Sequence, residues 1–255
     1  PENVKKTYSY LTERLRGGVG LMLRCCGAPA DWAGRKESFS EVKHEFEGQW
    51  VEMGRPELIV ACSTCYSVFK AHLPHIKIQS LWEVLDTLGL PDSPRMEPFA
   101  VAVHDPCTSR HENRIHESVR SLLRSLGYEI SELPLSRDRT ECCGYGGLMY
   151  FANRNLAENV IQRRIEESPH DYLAYCAMCR DHFNSKGKPT WHLLDLIFGP
   201  GDHDKASERG PDYSQRRENR ARLKNSLLKE LWGEEVATDQ GRGTTQLHIP
   251  KDVRD

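Results

Sequence analysis

DYLAYCAMC, residues 171–179, and ELIVACSTC, residues 57–65, follow one pattern. Each passes from an acidic residue through a short apolar run straight into a C-x-x-C pair. A run this short, bounded by polar residues, reads as a buried strand, so each cysteine pair stands where a strand ends. The likeness extends outward. Downstream, SLWEVL (80–85) parallels HLLDLI (192–197); upstream, LRCCGAP (23–29) parallels ECCGYGG (141–147). The chain therefore carries an internal repeat.

The second copy opens with FAVAVHDPC (99–107), a strand over Phe99–Val103 that leads to Cys107. A helix follows with Ile115, Val119, Leu122, Leu123 and Leu126 on one face, and Gly127 stops it. In the first copy Val4, Tyr8, Leu11 and Leu15 share a helix face, Gly17-Gly18 stops it, and a strand is expected at Leu21–Leu23. Beyond the second CCG, Leu156, Val160, Ile161 and Ile165 mark another helix. Strands alternating with amphipathic helices predict an α/β fold with a mainly parallel sheet. The expected organisation is two tandem βαβ units, residues 1–92 and 93–199, related by a pseudo-twofold axis. The counterpart of Cys107 and its strand fall before residue 1, so the chain reads as a piece of a larger polypeptide.

From about residue 200 to 255 the sequence turns polar, with glycine and proline, and reads as a linker and extension. A helix from Gln215 to Trp232 carries Leu223, Leu227, Leu228 and Leu231 on one side. Its arginines 216, 217, 220 and 222 form either an anion or partner site or a solvated face. The last stretch, ATDQGRGTTQLHIPKDVRD, reads as disordered or as leading into a further segment.

Charged residues make up 28% of the 255, hydrophobic ones 38%, and the net charge is −2. That balance predicts a soluble protein and argues against a nucleic-acid footprint. No apolar run is long enough for a membrane helix, and PENVKKTYSY has no signal-peptide core. A cytoplasmic, reducing setting is expected, where nine cysteines serve as metal ligands or redox centres rather than disulfides.

The cysteines fall into two sets. Cys107, Cys142, Cys143, Cys176 and Cys179 form one; Cys25, Cys26, Cys62 and Cys65 form the other, without a partner for Cys107. Neighbouring thiolates on a glycine-rich turn suit soft metal atoms, because glycine brings backbone N–H groups close to an anionic sulfur site. Five thiolates exceed what structural zinc uses, whereas four satisfy either zinc or an iron-sulfur group. The ligands are expected along the carboxyl edge of the sheet. His104, in HDPC, stands near a ligand, where it would tune a metal group, deliver a proton or serve as a hydrogen-bonded structural residue. No G-x-G-x-x-G, P-loop or ferredoxin run is present.

The motif Cys-xn-Cys-Cys-Gly-xn-Cys-x-x-Cys, read twice across residues 1 to 199, resembles the cysteine-rich CCG domain family. That family is found in heterodisulfide reductases, in their B-type component, and in iron-sulfur subunits of lactate, glycolate and glycerol-3-phosphate oxidoreductases. The resemblance implies that Cys107, Cys142, Cys143, Cys176 and Cys179 hold a noncubane [4Fe-4S] cluster. It implies that Cys25, Cys26, Cys62 and Cys65 supply four of five ligands for a second cluster, or hold zinc. The expected function is a heterodisulfide reductase B-like oxidoreductase subunit, active with partner chains. It would pass electrons from an iron-sulfur or flavin partner to a disulfide-type or other small acceptor, and would reach a membrane only through a partner. The alternatives are a zinc-binding scaffold or assembly protein, and the iron-sulfur subunit of a respiratory 2-hydroxy acid or glycerol-3-phosphate oxidoreductase delivering electrons to quinone.

Overall fold

A computed structural model of the chain describes residues 1–93, 97–199 and 203–232. In order, its elements are helix α1 (Glu2–Arg14), α2 (Ala28–Trp32), α3 (Lys36–Glu52), strand β1 (Leu58–Val60), α4 (Ser63–His72), β2 (Ile78–Ser80) and α5 (Leu81–Leu88). There follow β3 (Ala100–His104), α6 (Asn113–Ser125), β4 (Glu129–Glu132), α7 (Met149–Ala152), α8 (Arg154–Glu166), β5 (Asp171–Ala174), α9 (Ala177–Ser185), β6 (Thr190–His192), α10 (Leu193–Phe198) and α11 (Tyr213–Trp232).

The described residues pack as two compact units. One joins residues up to Arg24 to the segment that starts at Pro211, and the other runs from Cys25 to Gly210. Packing draws these limits, while the repeat is drawn by sequence likeness, and the two need not coincide. In the first unit α1 buries Thr7, Tyr10 and Leu11, and α11 buries Leu223 and Leu227. Lys5 reaches Glu230 at 3.0 Å across them. Residues 21–23 form no strand. A strand needs a ladder partner for its backbone groups, and in the second copy β4 pairs only with β3. Among the described residues, nothing plays the part of β3 for the first copy. The expectations for residues 233–255 lie outside the described residues.

The larger unit is α/β with every strand pair parallel. β1 pairs with β2, and the second sheet has the order β4-β3-β5-β6. Val101, Ala102 and Val103 of β3 and Tyr172, Leu173 and Ala174 of β5 are fully buried. Both central strands are thus covered on both faces, which is why they read as unbroken apolar runs. α6 turns Ile115, Val119, Leu122 and Leu123 inward as its periodicity predicts. In α8 the buried face is Ala157, Ile161 and Arg164, while Leu156 lies 49% exposed. The repeat is visible in the caps as well. Ser80 accepts from Trp82 N at the start of α5, and His192 Nδ1 accepts from Leu194 N at the start of α10, both at 3.3 Å.

The sheet order fixes where a ligand can sit. After β3 the chain goes to one side to make β4, then returns to the other side of β3 to make β5. β3 and β5 therefore flank a topological switch point, whose carboxyl edge is the ordinary place for a site in such sheets.

Candidate metal centre

The cysteines of the second set all follow carboxyl ends of strands. Cys107 opens a 3-10 turn after β3, Cys142 and Cys143 lie in the loop after β4, and Cys176 is the N-cap of α9 after β5. Cys179 sits one turn into α9, so the C-x-x-C spacing brings both sulfurs to one side. The structure brings the five together. Cys107 Sγ lies 3.9 Å from Cys142 Sγ, Cys142 also takes a hydrogen bond from Cys143, and Cys179 hydrogen-bonds both Cys143 and Cys176. Cys143, Cys176 and Cys179 are buried.

The first set converges in the same way, with Cys26 hydrogen-bonded to Cys25 and Cys65, and Cys65 to Cys62. Cys62 is the N-cap of α4, matching Cys176. Cys25 is exposed. The sets are neighbours, since the Cys62 charge bears on Cys176. Thr108, beside Cys107, hydrogen-bonds Ser63, beside Cys62, at 2.9 Å.

Proton sharing polarises both sets. The hydrogen bond from Cys107 brings Cys142 down to about 2, and the one from Cys25 brings Cys26 down to about 3. Their partners move the other way. Cys107 is pushed up chiefly by its bond to Cys142, and Cys65 by its bond to Cys26. Thiolates this close cannot all ionise together without a compensating cation.

Three observations test the donor set against a metal cluster, and all agree with one. A Cβ on Gly146 would stand 3.9 Å from the sulfurs of both Cys107 and Cys142, so glycine keeps that side open. Gly144 turns through φ 86° and donates its N–H to Cys142 Sγ at 3.3 Å. An imidazole nitrogen of His104 lies within 4.8 Å of the Cys143 and Cys179 sulfurs, and the buried Nε2 of that ring has no hydrogen-bond partner.

The frame around the second set includes residues that motif reading missed. Asp105, fully buried, receives both arms of Arg120 at 2.8 and 2.9 Å, and Arg120 reaches Glu132 as well. Tyr175 donates to Asp105 at 2.9 Å, as does the Arg137 backbone at 2.7 Å. The Thr140 hydroxyl donates to the Asp105 carbonyl at 2.7 Å, and Arg110 donates to the Thr140 carbonyl. One carboxylate thus ties together the chain segments that carry Cys107, Cys142 and Cys176. Burial opposes its charge most strongly, but the hydrogen bonds and positive charge of Arg120, joined by the Arg137 N–H, together outweigh it and hold Asp105 below the usual carboxylate range. The signal was present: Arg120 and Arg164 stand on the apolar faces of α6 and α8, where a charge implies a buried partner.

No helix among the described residues is long and apolar enough to cross a membrane.

Comparison with known proteins places these elements among relatives. The family model described as CCG, cysteine-rich domain, matches residues 3–70 and 101–184. The chain is 21% identical over 197 residues to the glycolate oxidase iron-sulfur subunit of Escherichia coli, covering 68% of this chain and 47% of that one. It is 27% identical over 202 residues to lactate utilization protein A of Halalkalibacterium halodurans, covering 68% of this chain and 80% of that one. It is 24% identical over 166 residues to an EtfAB:quinone oxidoreductase of Syntrophomonas wolfei, covering 62% of this chain and 23% of that protein. The chain thus spans about half of the first of these relatives and about a quarter of the third.

Proposed function

The chain belongs to the cysteine-rich CCG domain family, and from that premise we propose that it is the iron-sulfur electron-transfer part of an oxidoreductase acting on a small 2-hydroxy acid. The observation that carries this reading is the convergence of Cys107, Cys142, Cys143, Cys176 and Cys179 at the switch point between β3 and β5. The relatives named for glycolate and lactate favour this over the heterodisulfide reductase type that the motif alone suggests. The division into a first unit, 1–92, a second, 93–199, and an extension belongs to the same proposal, supported by the two matched stretches.

In this reading the five cysteines of the second set hold a noncubane [4Fe-4S] cluster. The four of the first set hold zinc, a cubane cluster or nothing, since four thiolates suffice for either group. The bound cluster supplies a site that takes and gives single electrons. The chain's own residues do the rest. The thiolates hold the site, the Gly144 N–H offsets negative charge on Cys142 sulfur, and the buried cysteines keep water from its inner side. Oxidation of a 2-hydroxy acid to the 2-oxo acid at a flavin partner releases two electrons and two protons. The electrons pass singly through this chain to an acceptor of the quinone class, which takes up both electrons and two protons.

Anaerobic purification followed by iron, sulfide and zinc quantitation tests the site. A brown protein containing iron and sulfide is expected, and a colourless zinc protein would overturn the iron reading. Glycolate or lactate, added with a flavin-containing 2-hydroxy acid dehydrogenase, should then bleach the visible absorption. Bleaching by dithionite alone would sink the proposed donor.

A further inference from the structure

His104 ends β3 and is fully buried between Arg164, the Phe183 ring and the second cysteine set. Grouped with Cys143 and Cys179 it has the composition of a three-residue metal site. Its other contact decides between ligand and donor. Arg164 Nε donates to His104 Nδ1 at 3.3 Å. An arginine N–H has no lone pair to offer, so Nδ1 must be the acceptor and carries no proton. A neutral imidazole bears one proton, which therefore sits on Nε2. Direct coordination through Nε2 would use that nitrogen's lone pair while Arg164 uses the other, leaving an imidazolate. Nε2 is instead a buried N–H donor without an acceptor of its own, on a ring that brings a nitrogen within 4.8 Å of the Cys143 and Cys179 sulfurs.

We propose that His104 donates its Nε2–H to a sulfur of the group held by Cys143 and Cys179, with Arg164 fixing the tautomer, and so raises the reduction potential of that site. This rests on the iron-sulfur reading of the second set. The physical basis is general. Hydrogen bonds to cluster sulfurs tune potential, and a donor favours the more negatively charged, reduced state. Arg164 is held in place from its far side, where Nη1 pairs with Glu167 at 2.5 Å. The Tyr172 hydroxyl donates to the Arg164 carbonyl.

Redox titration followed by EPR, on the full chain after metal quantitation, tests the proposal. H104L should make the site harder to reduce by about tenfold in the equilibrium, or about 59 mV for one electron. H104Q, which keeps an N–H, should recover a good part of that shift. Unchanged potentials in both variants, or equal shifts in both, would overturn the donor role. In case H104L fails to fold, the wild-type protein labelled with 15N-histidine gives a separate readout. A weak nitrogen coupling typical of a hydrogen bond supports the proposal, whereas the strong coupling of a directly bound nitrogen overturns it. Should the protein hold zinc, the iron reading fails separately. Long-range 1H–15N spectra of the same sample still report whether Nε2 carries the proton, and a protonated Nδ1 would sink the tautomer.

Discussion

The two cysteine sets use the same local device in different surroundings. Each places a CCG on a glycine in the left-handed region, Gly27 at φ 84° and Gly144 at φ 86°, and each starts a helix on the first cysteine of a C-x-x-C. They differ in what stands behind them. The second set hangs on four strands and on Asp105, with Arg120 and Tyr175 behind it. The first hangs on two strands, β1 and β2, and one of its cysteines, Cys25, is an exposed residue. The motif alone can gather thiols, but a sheet and a buried polar network are needed to hold the loops that carry them rigid. The second site should therefore depend more steeply on residues that never touch sulfur.

R120M is the strongest way to break the contrast. It leaves the buried Asp105 carboxylate without its only cation contact at hydrogen-bond distance among the described residues, with just the Tyr175 hydroxyl and the Arg137 N–H still donating to it. Breaking such a buried pair costs about 3–5 kcal/mol. Denaturant unfolding of the variant should show a loss of that order, and its iron content should fall at the second site first. The exposed pair Lys70–Glu112, at 2.7 Å, gives the control: K70M should cost less than about 1 kcal/mol. Equal losses in the two variants would show that the buried network is not what distinguishes the sites.

The glycines give a smaller and more local comparison. Alanine is strained at both left-handed positions by roughly 1–2 kcal/mol. Beyond that, a Cβ on Gly144 would meet the backbone carbonyl oxygen of Ala157 at 2.7 Å, whereas on Gly27 it would meet the side chain of Phe39 at 2.8 Å. A ring can shift, but a carbonyl within α8 cannot without distorting the helix. G144A should therefore lower both thermal stability and metal retention more than G27A does. The opposite order would mean that the α8 backbone yields more easily than the Phe39 ring.

Much of this was legible in the residues. The paired runs ELIVACSTC and DYLAYCAMC do form parallel strands that lead into helices, and FAVAVHDPC gives the buried central strand with Cys107 just past its end. Periodicity worked for α6 because one side of that helix is wholly buried. It misled in α8, where Leu156 is exposed and Arg164 is buried, because the inward position is used for a charge that holds His104. The strand expected at Leu21–Leu23 failed for a non-local reason: an apolar triplet becomes a strand only when another strand accepts its hydrogen bonds. Arg120 on the apolar face of α6 announces a buried partner, but which partner stayed hidden for the same reason, since Arg120, Glu132, Thr140 and Tyr175 come together at Asp105 only once the sheet has formed.

The mildest test turns on acid. Asp105 and Glu132 both lie below the usual carboxylate range; burial opposes each charge, and the hydrogen bonds and positive charge of Arg120, with lesser help from Arg137, together outweigh it. A carboxylate with a depressed folded pKa contributes stability that is present in full above its unfolded value, near 3.9 for Asp and 4.3 for Glu. That stability is lost as pH falls through the folded value. The protein should therefore weaken below about pH 4. Glu132 is the gentler of the two to remove, because its side chain is 39% exposed and Arg120 keeps Asp105 as a partner. A glutamine there can still accept from Arg120. E132Q should thus cost about 1 kcal/mol or less at neutral pH, after allowance for solvent screening. The gap to wild type should close as pH drops through the carboxylate range, because protonated Glu132 has by then lost the advantage that glutamine never had. Urea unfolding from pH 7 down to about pH 3.5 reads this directly. A gap that persists undiminished at the acid end would assign the Glu132 contribution to packing rather than charge, and would leave Asp105 alone as the electrostatic anchor of the second site.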